Sequence, residues 1–316
     1  SSATAQATAL QHDGGTANET FAVTQGDQCY EVTPMGDGSQ NVSAFYDWSP
    51  DTQYSSAGTT HLQDDQVSNL FIYHGSEGYS LVFLHDKYGD SQYGSTITMN
   101  FTGLPSGGEW AVTDDYYGEG TDDDWNGDPY THVDWKWQDD RTDGGAFRGL
   151  TATDDLSITI DPEFNEEPNH WDDNSTDADS PIGEGDWPYA GGGNRIDKWR
   201  LYTDGETTRE LNKGADVTIT RGSCVSAAVT STSDNATTKQ SITFDASGSS
   251  AKTEISQYRW DFNGNGTIDK TTDTSETSYT YDSAGDYNAS VTVRDSADNS
   301  DTAITSVTIT NESDGS

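Results

Sequence analysis

The chain is short of cations, cysteine and long apolar runs, and each shortage argues against a class of protein. Only 15 of its 316 residues are Lys or Arg, against 55 Asp and Glu, which gives a formal charge of −40. A surface of that sign repels phosphate backbones, so nucleic acid is not an expected partner and cations are. No stretch approaches the roughly 18 apolar residues of a membrane helix, so no membrane span is expected. His-x-x-x-His pairs, cysteine clusters, Gly-x-Ser-x-Gly elbows and phosphate-binding glycine loops are all missing. The six His, including His61 and the His85-Asp86 pair, are scattered, and the expectation is that the protein is not an enzyme.

What the chain does contain is aromatic: 9 Trp, 16 Tyr and 9 Phe, many in alternating runs. High charge and low hydropathy alone describe a disordered chain, but this aromatic content supplies cores, and the length suffices for two domains. The acidic excess runs through the whole sequence instead of forming a tail, so it describes a surface. In this it resembles proteins of salt-loving organisms, whose self-repulsion is screened by molar salt to a Debye length of about 3 Å.

Residues 19–222 read as short strands with almost no helical periodicity: "FAVTQ", "CYEVTPM", "VSAFYDW", "SNLFIYH", "YSLVFLHD", "STITMNFTGL", "EWAVTDDYY", "HVDWKW", "LSITIDPEF", "DKWRLYT" and "ADVTITRG". Gly, Asp, Asn and Pro clusters separate them. The expected fold class is all-β, with a jelly-roll-like antiparallel sandwich in this region. Two inserts, "YYGEGTDDDWNGDPYT" and "NEEPNHWDDNSTDADSPIGEGDWPYAGGGN", read as long loops. Their acidic clusters, Asp122–Asp124 with Asp128 and Asp172-Asp173 with Asp177 and Asp179, read first as solvated surface and second as cation sites. The aromatics Trp125, Tyr130, Trp135, Trp137, Trp171, Trp187 and Tyr189 lie in or beside the inserts. They offer a stacking platform for surface glycans, although Trp135 and Trp137 share the parity of Val133, which core packing also explains.

Cys29 lies in the second strand and Cys224 just past the last. Two cysteines in an extracellular chain pair, so a disulfide joining the ends of the first domain is expected in preference to two free thiols. Eight Asn-x-Ser/Thr sequons, at Asn18, Asn41, Asn100, Asn174, Asn235, Asn265, Asn288 and Asn311, are candidate glycosylation sites. With the cysteines they favour an extracellular or cell-surface setting. The chain starts at Ser1 without Met, which is compatible with prior removal of a leader.

Residues 225–310 carry Phe244-Asp-Ala-Ser-Gly-Ser249, Trp260-Asp-Phe262, Tyr279-Thr-Tyr281 and Ala284-Gly-Asp-Tyr287 ahead of Val291-Thr-Val293. In this order and spacing they resemble the polycystic kidney disease (PKD) domain, which implies an immunoglobulin-like sandwich with Trp260 in its core. Where that family commonly shows Trp-Asp-Phe-Gly-Asp-Gly, this chain has Asn263-Gly-Asn265-Gly266. Residues 19–222 more weakly resemble the non-PKD portion of secreted, PKD-containing proteins of salt-loving archaea, and no catalytic residue transfers from that resemblance.

Asp261, Asn263, Asn265 and Asp269 place oxygen ligands at positions one, three, five and nine of a loop with a glycine turn, the spacing that wraps Ca2+. Thr272 stands where a bidentate Glu would complete the helical version. A metal-free Asn-Gly turn explains the same residues, so Ca2+ is the one candidate cofactor.

The N-terminus, residues 1–18, opens "SSATAQATAL", with Ala3, Ala5, Ala7 and Ala9 on one parity ahead of a polar linker. A strand pattern outside any domain suits an extended segment that adds to a sheet edge of a neighbouring copy, the alternate Ala fitting a narrow groove. Repeated head to tail, such a contact gives an open filament. The expected function is therefore a structural subunit of an extracellular, pilus-like filament or surface layer, homo-oligomeric through donor-strand complementation. The alternative is an adhesin that binds glycans through its Trp-rich loops. Residues 311–316 read as a tail.

Overall fold

The computed structural model describes residues 19–48, 56–89, 94–114, 123–137, 141–150, 155–165 and 196–311. The first domain comprises β1 (Phe21–Gln25), β2 (Gln28–Val32), α1 (Val42–Tyr46), β3 (Val67–Gly75), β4 (Gly78–His85), β5 (Ser95–Thr102), β6 (Glu109–Thr113), β7 (Asp124–Gly127), β8 (Tyr130–Trp137), β9 (Asp143–Arg148), β10 (Ser157–Phe164), β11 (Lys198–Tyr202), β12 (Thr208–Leu211) and β13 (Val217–Arg221). These form two sheets, ordered β2-β1-β13-β10-β5-β8-β7 and β12-β11-β3-β4-β9-β6.

The period-2 alternation puts one face of each strand between the sheets. Ile97, Met99, Val133, Trp135, Trp137, Ile158, Ile160 and Ile219 from one sheet meet Leu70, Ile72, Leu81, Phe83, Phe147 and Trp199 from the other. The second sheet is buried on both faces, because Phe71, Tyr73, Val82 and Leu84 pack beneath α1. This double burial explains the nearly continuous apolar runs of β3 and β4.

Three features depart from the expected antiparallel sandwich. "VSAFYDW" is a helix, not a strand: the Asn41 side chain caps it by accepting from Ala44 N at 2.8 Å, and Val42 and Tyr46, four residues apart, are its buried pair. β3 and β11 pair in parallel, so the second sheet is mixed. Part of the first insert is strand, since β7 forms a hairpin with β8 and closes the seven-stranded sheet. The strands β9 and β12 were also not expected. β9, "DGGAFR", hides its strand character behind two glycines that its neighbours demand: a Cβ on Gly144, at φ +146°, would lie 2.2 Å from Phe83 O.

The second domain comprises β14 (Val225–Ser226), β15 (Thr230–Ser231), β16 (Asn235–Thr237), β17 (Ser241–Asp245), β18 (Ser250–Ala251), β19 (Ile255–Asp261), β20 (Lys270–Thr272), β21 (Glu276–Thr280), β22 (Gly285–Asp295) and β23 (Ser300–Thr310). A three-stranded sheet β15-β17-β21 faces a five-stranded sheet β16-β23-β22-β19-β20, with β14 and β18 paired separately. Trp260, fully buried, packs with Phe244 and Phe262 between the sheets, as the sequence implied. Tyr281 donates its hydroxyl to Phe262 O at 2.7 Å, and burial pushes its phenol well above the usual range.

Candidate functional site

The most built feature outside the cores is the joint between the domains. Hairpin β1–β2 carries Cys29 on the edge of the seven-stranded sheet, opposite Thr24, and the chain leaves β13 to reach Cys224 just before β14. The two form the expected disulfide, with Cα atoms 5.9 Å apart. Both sulfurs belong to residues buried in the core of the second domain, beside Ala22 and Val225, so the cystine is an apolar plug as well as a covalent tie.

Hydrogen bonds surround that plug. Glu31 Oε1 accepts from Cys224 N at 3.0 Å, and Cys224 O accepts from Lys252 N at 2.8 Å. The Asn299 amide donates to Cys29 O at 3.1 Å and to Asp295 Oδ2 at 3.0 Å. Asp295, also buried, holds the β22–β23 turn: Oδ1 accepts from Ala297 N and Asn299 N, and Oδ2 from the Thr253 hydroxyl. Beside the joint lies a polar cleft of about 410 Å3 between Tyr30 and Glu31 on β2, Thr203 just after β11, Arg209 on β12, and Ala297 and Asn299 of the turn. The disulfide and these hydrogen bonds tie the β1–β2 hairpin of one sandwich to the β22–β23 turn and the β14 approach of the other.

The calcium candidates Asp261, Asn263, Asn265 and Asp269 do come together in one loop, between β19 and β20. There Asp261, largely buried, spends its carboxylate on the loop backbone: Oδ1 accepts from Asn263, Gly264 and Asn265 N–H groups, and Oδ2 from Gly266 N at 2.7 Å. Asn263 Oδ1 accepts from Asn265 N, Asn265 Oδ1 from Thr267 N, and Asp269 Oδ2 from Phe262 N. The loop therefore closes through its own amide protons, and each accepting oxygen keeps a further lone pair, so the same geometry serves the loop with or without a cation. Among the described residues no three His, Cys, Asp or Glu side chains gather as a metal cluster.

The glycan platform fares differently. Trp125, Trp135 and Trp137 are buried in the first core, where Trp135 donates to Gly144 O at 2.8 Å and Trp137 to Asp86 Oδ2 at 2.9 Å. They form an aromatic cluster with Phe83, Phe101 and Trp110, not a stacking surface, because the large apolar rings fill the space between the sheets. Tyr130 is half-buried against Trp125. Trp171, Trp187 and Tyr189 lie outside the described residues. So do Ala3, Ala5, Ala7 and Ala9, the sequons Asn18 and Asn174, and the acidic cluster Asp172 to Asp179. Of the other acidic cluster, Asp123 is buried, not solvated, and accepts from Lys136 N at 2.9 Å.

His85 is fully buried between Trp135 and Trp137, with Nδ1 2.9 Å from Ser68 Oγ, and burial pushes its pKa down to about 3. It is a neutral core group. His132, on the outer face of the first sheet, has Nδ1 2.6 Å from Asn100 Oδ1 and Nε2 3.2 Å from Asp134 Oδ2, while Thr98 donates to Asp134 Oδ1. That polar chain was not anticipated. Its only signal was parity, since His132, Asp134 and Lys136 alternate with Val133, Trp135 and Trp137. The remaining sequons divide by exposure: Asn41, Asn235, Asn265, Asn288 and Asn311 are exposed, and Asn100 is half-buried.

These observations define a two-domain all-β protein with a disulfide-locked joint. Residues 226–309 match the PKD domain family, and the C-terminal domain is a PKD domain. Among solved structures, the chain is similar to one described as carbohydrate-binding modules from the β-sandwich superfamily, at 27% identity over 28% of this chain and 35% of that chain, with a TM-score of 0.26. It is also similar to the PKD1 domain of the Vibrio cholerae metalloprotease PrtV, at 27% identity over 26% of this chain and 93% of that chain, TM-score 0.21. The PKD1 domain of Vibrio anguillarum Epp matches at 23% identity over 28% of this chain and 98% of that chain, TM-score 0.23. No curated protein matches the chain significantly. The archaeal resemblance of residues 19–222 gains no support from these matches. Among the described residues no helix is long and apolar enough to cross a membrane.

Proposed function

We propose that the protein is a non-catalytic structural subunit of the cell exterior, assembling head to tail into a filament or surface layer. The observation that carries this reading is the joint: Cys29–Cys224, buried in the PKD core, together with Asn299 bonded to Cys29 O, ties the two sandwiches together covalently and by hydrogen bond. A load-bearing subunit needs such a coupling, whereas independent domains on a flexible tether do not. The disulfide itself favours an oxidising, extracellular compartment.

Assembly in this reading uses residues 1–18. Their alternate Ala3, Ala5, Ala7 and Ala9 would add as a strand to an open sheet edge of the next copy. Such an edge is offered by β12, which among the described residues pairs with β11 alone. Deletion of residues 1–12 tests the idea. Negative-stain images in high salt should then show folded monomers in place of filaments; unchanged polymerisation would defeat it.

A further inference from the structure

Four sequons of the second domain are scattered over the sequence from Asn235 to Asn311, yet the fold brings them to one end. Strand β22 runs toward the joint and ends at Asp295, and β23 runs back from it, so residues early in β22 and late in β23 lie at the far end of the domain. Asn288 pairs with Ser306 across β22–β23, and Asn235 pairs with Thr308 across β16–β23. Both belong to the outer parity of the five-stranded sheet, because their neighbours Ala289 and Ala236 are buried. Two strand spacings separate them, about 10 Å. The Asn265 loop rests against the same strand: a Cβ on Gly264 would lie 2.7 Å from Asn288 O. Asn311 follows β23 directly.

The amides are set up for modification. Asn288 Oδ1 accepts from Ser306 Oγ at 2.9 Å and Asn265 Oδ1 from Thr267 N at 2.7 Å, and in each case Nδ2 has no hydrogen-bond partner among the described residues. Asn100, by contrast, is half-buried in the centre of a sheet and bonded to His132. A second observation concerns the surface these amides share. Ile304, 56% exposed, is one of two exposed large hydrophobic residues among those described. It pairs with Ser290, two positions from Asn288 on the same outer face. A sugar on Asn288 would lie over this open face.

We propose that the end of the PKD domain farthest from the joint carries a crown of N-linked glycans, at Asn235, Asn265 and Asn288, that shields the outer face around Ile304. The transfer joins Nδ2 to C1 of an oligosaccharide carried on a lipid phosphate. The C1–O bond breaks, the lipid phosphate leaves with the electron pair, and one Nδ2 proton passes to a base of the transferase.

Peptide mapping by mass spectrometry of the full chain, purified from the cells that make it, tests the assignment. The peptides containing Asn235, Asn265 and Asn288 should carry a hexose-containing increment, and the Asn100 peptide should not. Ser290→Ala and Thr267→Ala keep each Asn but break its sequon, and each should remove one increment from the intact mass. Unmodified masses for all three peptides, or increments that survive both substitutions, would overturn the proposal.

Discussion

The side-chain amide of Asn299 donates to the carbonyl oxygen of Cys29 at 3.1 Å, bridging residues 270 positions apart in the sequence. That bond joins the turn of one sandwich to the edge strand of the other, alongside the disulfide. Replacing both cysteines by Ser removes a tie that closes a 195-residue separation, and the chain-entropy relation puts the loss at about 5 kcal/mol. Denaturant unfolding should show this loss, accompanied by separation of one transition into two as the domains uncouple. A single transition at the original midpoint would contradict the joint described above.

The Asp261 carboxylate is the main acceptor of the β19–β20 loop, taking four of its backbone N–H groups. Asp261→Ala strands the backbone N–H groups of Asn263, Gly264 and Gly266 and should cost about 3 kcal/mol in the PKD domain. Removing calcium with a chelator at matched ionic strength should leave the wild-type melting temperature unchanged. A drop of several degrees on chelation would instead show that the loop holds Ca2+ in the protein.

Stability should fall in mild acid because of His85. Its folded pKa, about 3, lies below the value near 6.5 of an unfolded chain, so the unfolded state binds a proton that the folded state refuses. The contribution is complete above pH 6.5 and is lost as pH falls toward 3, at up to about 1.4 kcal/mol per pH unit. Unfolding free energies measured between pH 7 and 4 should show this slope, and His85→Gln should flatten it.

Salt should stabilise the fold. The outer face of the seven-stranded sheet illustrates why: burial first, then Asp216 and Glu163, raise the pKa of the Asp161 carboxyl. With a formal charge of −40, many such like-charge contacts act together. Melting temperatures should rise between 0.1 and 2 M NaCl, as the Debye length shrinks from about 10 Å to under 3 Å. A flat response would remove the electrostatic account.

Much of this architecture was legible in advance. Strands such as β3, β5 and β10 announce themselves because β-branched and aromatic residues at period two have few other uses. The PKD motifs and the cystine were equally visible. β9 was hidden because its glycines serve the packing of Phe83, Trp110 and Trp125, partners distant in sequence. α1 was misread because five residues carry too few turns for a helical period to outweigh aromatic strand character. Trp135 and Trp137 left both a platform and core packing open, and the structure places them with Trp125 in the core, since parity gives a side chain's face and not what lies above it.

The sequence by itself determined the all-β class, the PKD motifs of the C-terminal quarter and the acidic excess, because these follow from composition, period and motif spacing, and it supplied just two cysteines to pair. Only the tertiary structure decided that β3 pairs with β11 in parallel, that Asp261 spends its oxygens on its own loop, and that Asn235, Asn265 and Asn288 meet at one end of a domain. Those outcomes depend on which distant strands pair and in which register, and long-range pairing is fixed by the packing of the whole core.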